Sequence, residues 1–332
     1  MTSDRISVIA TVFNEAHSIG ALVESLAKQT YAPHEIVVAD AGSTDGTMEI
    51  LTACSLKGLR IVDAPGNRAE GRNAAIAAST GDVIASIDGG CVADPEWLSL
   101  LVSPFATGAE WVAGFYRVGG KSPLARCIGL VMVYVEEEVR KDPGAFLPSA
   151  RSMAFTRNTW IRAGGFPEHV EFAEDTLYGE RLLAAGSRPT LVLDAMVTWT
   201  PPASLGTLAQ TAFRWGAGDA HAGIRGWVYK RILVGYGGAL AATLVAALFR
   251  PTLLWIGPLA VLVDTARRTR HKYRWAPKPS GLVFVPMAHL VSTYAALGGF
   301  LAQHLRRSMT RKPAAVVGDG PPGASSPPPR GR

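Results

Sequence analysis

Glu35-Ile36-Val37-Val38-Ala39-Asp40-Ala41-Gly42-Ser43-Thr44-Asp45-Gly46-Thr47 has the form of a short buried strand, a polar turn and a helix start. Glu35–Ala39 reads as strand and ends at Asp40; the glycines permit a tight turn, and Thr47–Ala53 reads as helix. On either side the pattern repeats. Ile6–Val12 reads as a strand, and His17–Gln29 places Ile19, Leu22, Val23, Leu26 and Ala27 on one helical face. Leu59–Asp63 reads as a strand, Asn67–Ser79 as an Ala-rich helix, and Asp82–Ile87 as a strand ending at Asp88. Strand and helix alternating at this spacing predict a mainly parallel α/β sheet flanked by helices. Sites on such sheets lie beyond the carboxyl ends of the strands, where Asp40 and Asp88 stand. Residues 111–224 are less regular. Trp111–Tyr116 and Thr190–Asp194 read as strands, Gly164-Gly165-Phe166-Pro167 as a turn, and Asp175–Ala185 as a helix.

Hydrophobic residues make up 48% of the 332 and charged residues 18%, an apolar balance that suggests membrane contact. The +6 net charge hides an asymmetry. Residues 1–224 carry 17 Lys/Arg against 25 Asp/Glu, a balance of −8; residues 225–332 carry 16 against 2, a balance of +14. Basic charge beside apolar runs points to an anionic membrane surface. Ile232–Phe249 just reaches the length of about 18 residues that a span needs. Thr252–Val263 is shorter, Arg267–Lys278 is strongly basic, and Gly281–Leu305 is a third uncharged segment. A hairpin of the first two runs puts both basic flanks on the cytoplasmic side; the third is then either a full span that breaks the positive-inside rule or, the reading preferred, re-entrant or interfacial. Residues 312–332 are Pro/Gly/Ser-rich and read as a disordered tail. The cysteines, Cys54, Cys91 and Cys127, fit neither a disulfide framework nor a zinc site, and reducing cytosol suits them. Polar Thr2–Arg5 before the apolar run Ile6–Phe13 reads as a strand start rather than a signal peptide.

The polar tips carry the chemistry. Asp40 and its turn either cap a helix or accept hydrogen bonds from a nucleobase or ribose. Asn14-Glu15 adds a second polar tip. Arg68 and Arg72 share a helical face, where a guanidinium can neutralise a diphosphate or decorate a surface. Asp88, followed by Gly89-Gly90-Cys91, can approach a divalent cation bridging two phosphates, or cap its turn. Glu174-Asp175 opens a helix at its positive end, a place that suits a carboxylate general base but often carries acids anyway. Gln210, Arg214 and Trp215 fall at i, i+4 and i+5, either as one face of an interfacial helix or as a closure over a sugar phosphate. No G-x-G-x-x-G follows the first strand, which makes a dinucleotide-dependent dehydrogenase a poor fit.

Taken together these motifs resemble family 2 inverting glycosyltransferases of the A-type (GT-A) fold. Val8–Glu15, Glu35–Thr47, Gly71–Ala75, Ala78–Ile84 and Ala163–Phe166 followed by Ala173-Glu174-Asp175 match that family's motifs in order and approximate spacing, over residues 5–224. The resemblance implies a catalytic domain over 1–224, with a membrane-associated region over 225–311. It implies that Thr11, Glu15, Asp40, Arg72 and Asp88 bind the nucleotide-sugar donor. It makes Asp88 the contact for Mg2+ or Mn2+, and Asp175 the general base beside Glu174, with Arg214 and Trp215 near the leaving group. The expected partners are a nucleotide-sugar donor, a lipid-linked or glycan acceptor and membrane lipids, with no nucleic acid. The expected place is the inner (plasma) membrane, with the catalytic domain cytoplasmic and a role in envelope or exopolysaccharide synthesis. A polyprenyl-phosphate sugar transferase and a catalytically silent scaffold of the same fold are the alternatives. The sequence departs from the family twice. Gly90 stands where the metal motif has its second Asp, and Gln210–Trp215 is one residue longer than the Gln-x-x-Arg-Trp of processive members. The loop Pro148-Ser149-Ala150-Arg151-Ser152 resembles one found with the Asp-small-Gly-Cys variant, where Arg151 either contacts phosphate or is an ordinary loop arginine.

Overall fold

The computed structural model describes residues 5–310, so the expected tail lies outside the described residues. The chain begins β1 (Ile6–Val12), α1 (Ile19–Ala27), β2 (Glu35–Asp40), α2 (Thr47–Ala53), β3 (Leu59–Asp63), α3 (Arg68–Ala78) and β4 (Val83–Asp88). It continues through β5 (Cys91–Ala93), α4 (Trp97–Val102), β6 (Trp111–Val118), α5 (Pro123–Met132), α6 (Glu136–Lys141), β7 (Met153–Thr156) and α7 (Arg157–Arg162). It ends with α8 (Glu174–Ala184), β8 (Thr190–Trp199), α9 (Leu205–Ala222), α10 (Gly226–Phe249), α11 (Ile256–Thr269) and α12 (Gly281–Thr310).

The strands make one 8-stranded sheet in the order β3-β2-β1-β4-β7-β6-β8-β5. The first four are parallel, β7 runs antiparallel to both β4 and β6, and β8 lies parallel to β6. The parallel strands are covered on both faces, which is why they read as continuous apolar runs. Val8 and Ala10 face a layer with Leu22, Leu26 and Trp97. Ile9 faces the opposite layer with Ile84, Phe155, Phe166 and Tyr178. The chain leaves β1 for β2 and β3, then returns to place β4 on the other side of β1. That reversal opens a crevice at the carboxyl ends of β1 and β4, where Thr11 pairs with Asp88 and Val12 with Asp40.

β8 runs five residues past the expected end at Asp194, to Trp199. Asp194 is exposed and lies in the register irregularity between β6 and β8, so its charge stays in water without ending the strand.

The apolar segments fold as a hairpin and a docked helix. α10 turns through Pro251–Trp255 into α11, and the two pack where Gly257 meets Thr243. α10 and 281–307 of α12 are long and apolar enough to cross a membrane, by length and composition. α12 lies along α9. A Cβ on Gly216 would overlap the carbonyl oxygen of Ala296, and one on Gly299 that of Phe213, so the two backbones touch. Ala288 joins Ile128 of α5 and Leu208 of α9, and Arg307 donates to the carbonyl oxygen of Ala220 at 2.9 Å.

The basic stretch after α11 binds protein as well as facing solvent. Lys272 is buried, donating to the carbonyls of Leu130 at 2.7 Å and Val133 at 2.9 Å, and lies 3.4 Å from Glu138. His271 Nε2 lies 2.8 Å from Glu138 Oε1. The acidic α6 therefore claims part of a cluster that sequence reasoning assigned to anionic head groups, because burial favours the nearer fixed charge. Arg267 and Arg270 remain exposed.

Candidate active site

Each polar group at the crevice is delivered by a local rule. Gly71 lets α3 approach β1, since a Cβ there would come 3.1 Å from Thr11 Cγ2. α3 starts with a capping box: Asn67 Oδ1 accepts from Ala69 and Glu70, and Glu70 returns to the Asn67 N–H at 2.6 Å. That fixed start puts Arg72 under the crevice, 2% exposed.

Arg72 is the hub. Nη2 donates to Asp88 Oδ1 at 2.8 Å, Nη1 pairs with Glu174, and the guanidinium sits 5.5 Å from the Phe166 ring centroid. One cation thus ties the tip of β4 to the start of α8. Burial works against its charge, but Glu174, Asp88 and Asp175 raise its pKa above the ordinary guanidinium value. Burial alone would raise the Asp88 carboxyl; the Arg72 and Arg151 guanidiniums outweigh it and hold that group below the usual range. Arg72, expected to face a diphosphate directly, is occupied by these carboxylates. Glu174, expected among the catalytic groups, is buried and consumed by Arg72.

Asp175, unlike buried Glu174 beside it, is partly exposed. Its Oδ1 accepts from the Thr176 N–H at 2.8 Å and its Oδ2 from the Ala150 N–H at 3.4 Å. Ala173 before it has φ 68, a left-handed conformation that turns the chain sharply into α8.

Asp40 stands at the same sheet edge, one strand away from Asp88 across β1. Its Oδ2 accepts from the Gly42 and Ser43 N–H groups at 3.0 and 2.9 Å, and its Oδ1 from Ser43 Oγ at 2.5 Å. Asp40 therefore shapes the loop as well as bordering the crevice. Asn14, at φ 55, accepts from Thr44 N–H at 2.9 Å and so joins the two tips. Glu15 lies beside the Gly89-Gly90 turn; a Cβ on Gly90 would be 3.9 Å from Glu15 Oε2.

The structure does not join Arg214 and Trp215 to this cluster. Among the described residues Arg214 makes no ion pair, and it is exposed on α9, the helix held by α12. The second guanidinium at the site is Arg151. Its carbon lies 4.5 Å from the Trp199 ring centroid and 5.6 Å from that of Tyr116. No motif pointed to those two aromatics, which come from β8 and β6. Sequence reasoning also missed a strut beneath α8: Arg225 donates to Asp219 at 3.0 Å and to Thr176 Oγ1 at 3.4 Å, and Tyr229 donates to Asp219 at 2.7 Å. Spaced acids and an Arg-Gly junction carry no recognisable signal for such a contact.

No group of three or more His, Cys, Asp or Glu side chains that could hold a metal ion occurs among the described residues. One Asp88 oxygen remains beyond its bond to Arg72. A single carboxylate suits Mg2+ or Mn2+ when substrate phosphates and water complete the shell, so the residues fit a metal carried with a phosphorylated donor.

The sequence profile described as Glycosyl transferase family 2 matches residues 7–157. Glycosyltransferase AglE of Haloferax volcanii is 30% identical over 243 residues, covering 68% of this chain and 75% of that one. An undecaprenyl-phosphate 4-deoxy-4-formamido-L-arabinose transferase of Serratia proteamaculans is 32% identical over 116 residues, 32% of this chain and 36% of that one. A mannosyltransferase of Pyrobaculum calidifontis, solved in complex with GDP-Man and Mn2+, superposes with a TM-score of 0.53 at 19% identity over 90% of this chain and 87% of that chain. At that identity the likeness is one of fold. The crevice between β1 and β4, the family profile and the relative spanning two thirds of the sequence agree: the chain is a glycosyltransferase of family 2, built on the GT-A fold.

Proposed function

We propose that the enzyme transfers a sugar, with inversion, from a nucleotide-diphosphate sugar to a lipid-linked acceptor at the cytoplasmic face of the inner membrane. The observation that carries this is the joining of Asp88 at the tip of β4 to Glu174-Asp175 at the start of α8 through buried Arg72. That arrangement leaves Asp175 partly exposed beside the crevice while its neighbour is fixed. Asp175 takes the proton of the acceptor hydroxyl or phosphate as that oxygen attacks the anomeric carbon. The bond to the diphosphate breaks on the opposite face, and the configuration inverts. Asp88, with the donor's phosphates, would hold Mg2+ or Mn2+, which supplies positive charge to the departing diphosphate. Thr11, Glu15 and Asp40 border the nucleotide.

The likeness to an undecaprenyl-phosphate transferase supports a polyprenyl phosphate as acceptor. The apolar hairpin and α12 support anchoring, which would raise the enzyme's effective concentration at a substrate that stays in the bilayer. Residues 5–224 form the catalytic part, and 225–310 hold it at the membrane.

The test uses the full chain in detergent with a panel of UDP- and GDP-sugars and a polyprenyl-phosphate lipid extract. Release of nucleoside diphosphate with a lipid-linked sugar of inverted anomeric configuration by NMR supports the reading. Retained configuration would exclude the single-displacement mechanism. A protein that binds no nucleoside diphosphate, with or without Mn2+, is a silent scaffold.

A further inference from the structure

Arg151 is a charged group that acts on Asp88 through space but is tied to no carboxylate by an ion pair. Among the described residues it forms no ion pair, and its buried Nε–H has no hydrogen-bond partner. Nη1 donates to Ser149 Oγ at 3.1 Å, a neutral acceptor two residues away. A guanidinium presents five donors in a rigid fork matched to two oxygens of one anion. Here most of that fork is unused.

Its position is fixed from three sides. β7 pairs antiparallel with β4, and Ser86 Oγ donates to the Ala150 carbonyl at 3.0 Å, which holds the turn carrying Arg151 against the end of β4, where its charge acts on Asp88. Trp199, over which the guanidinium lies, pairs with Cys91, directly after Asp88-Gly89-Gly90. Ala150, the residue before, donates to Asp175. Arg151 therefore lies between the tip of β4, the glycine turn and the proposed base. Contact with the Trp199 and Tyr116 rings restrains the guanidinium without neutralising it, as a carboxylate would. Gly90 removes a carboxylate from the same turn, so this side of the site is more cationic than an Asp-x-Asp motif would make it.

We propose that Arg151, whose guanidinium lies over the Trp199 and Tyr116 rings, is a phosphate-binding group of the reacting site. This rests on the reading of the crevice as a sugar-diphosphate site. The phosphate has two possible sources, the donor's diphosphate and a phosphate on the lipid acceptor.

The experiment measures binding to the full chain in detergent with EDTA present, for the wild type, Arg151→Gln and Arg151→Lys. Titration calorimetry compares UDP with UMP and GDP with GMP; a parallel series compares farnesyl phosphate with farnesol. Thermal unfolding confirms that each variant is folded, and the lysine variant, which keeps charge but loses the fork, covers the case in which glutamine disrupts the loop. The wild type is expected to favour the more phosphorylated member of at least one pair. Arg151→Gln is expected to lose about tenfold or more of that preference, in keeping with a charged hydrogen bond, with Arg151→Lys between. Loss in the nucleotide pairs assigns the donor's diphosphate, and loss in the farnesyl pair assigns the acceptor. Unchanged preferences in both variants overturn the proposal while leaving the site reading intact. A wild type that binds none of the probes overturns both.

Discussion

Replacing Arg72 by methionine removes the guanidinium that joins Asp88 to Glu174. The side chains of Arg72 and Glu174 are 3% and 7% exposed, whereas Asp88 is 29% exposed. Water can therefore reach Asp88 when its partner is lost, but Glu174 would be left as a buried, uncompensated charge. Breaking such a pair by deleting one partner costs about 3–5 kcal/mol. For a domain of this size each kcal/mol lowers the melting temperature by about 2–4 °C, so Arg72→Met is expected to melt about 10 °C lower. Glu174→Gln should cost less, because Arg72 keeps Asp88 as a counter-ion. In the double variant the buried carboxylate and its partner leave together. It is expected to be more stable than the sum of the single effects by about 2 kcal/mol, the size of coupling found for residues in direct contact. Tryptophan fluorescence during heating in detergent measures all four proteins. Effects that add to within about 0.5 kcal/mol would refute the claim that Arg72 and Glu174 act as one buried unit.

At the other end of the strands Glu35 offers a test by pH. Burial opposes its charge, but Thr80, Ser7 and Arg60 hydrogen-bond it and hold its carboxyl at about 2 against an ordinary 4.5. That stabilisation is full above the unfolded value and is lost as pH falls through the folded one, amounting to about 2 kcal/mol between pH 6 and pH 3. Urea midpoints at the two pH values should show Glu35→Gln losing less than the wild type over that interval. Gly90→Asp restores the second carboxylate of the metal motif into space whose nearest neighbour is Glu15 Oε2 at 3.9 Å from the new Cβ. It should tighten the Mn2+ dependence of donor binding in a metal titration; an unchanged curve would place the metal elsewhere. Gly216→Leu forces α9 away from Ala296 of α12 and is expected to cost more than about 2 kcal/mol. Faster proteolysis after α11 would report the release, and an unaltered digestion pattern would mean that the two helices do not depend on this contact.

The parallel half of the sheet was legible because its signals are local. Ile6–Val12, Thr47–Ala53 and Leu59–Asp63 have the bounds that apolar runs and turn residues indicate. The placing of Asp40 and Asp88 at carboxyl strand ends follows from the same patterns, whereas the insertion of β1 between those two strands was not legible. The site's wiring was not legible, since Arg72 and Glu174 lie 102 residues apart and nothing in either segment names the other. A local pattern also cannot say that Ser43 and Gly42 occupy Asp40, or that Trp199 and Tyr116 meet over Arg151. The apolar character of 281–305 was visible, but its docking depends on Gly216 meeting Ala296 and Gly299 meeting Phe213 across the helix pair. Likewise the charge of Lys272 was visible and its burial against the end of α5 was not.

The role of Asp175 is most directly tested by Asp175→Asn, a near-isosteric change that keeps the oxygen accepting from Thr176. Sugar transfer and UDP or GDP binding are measured on the same preparation. The account predicts transfer reduced by about 10²–10⁴ with nucleotide affinity unchanged. Transfer at the wild-type rate would contradict it.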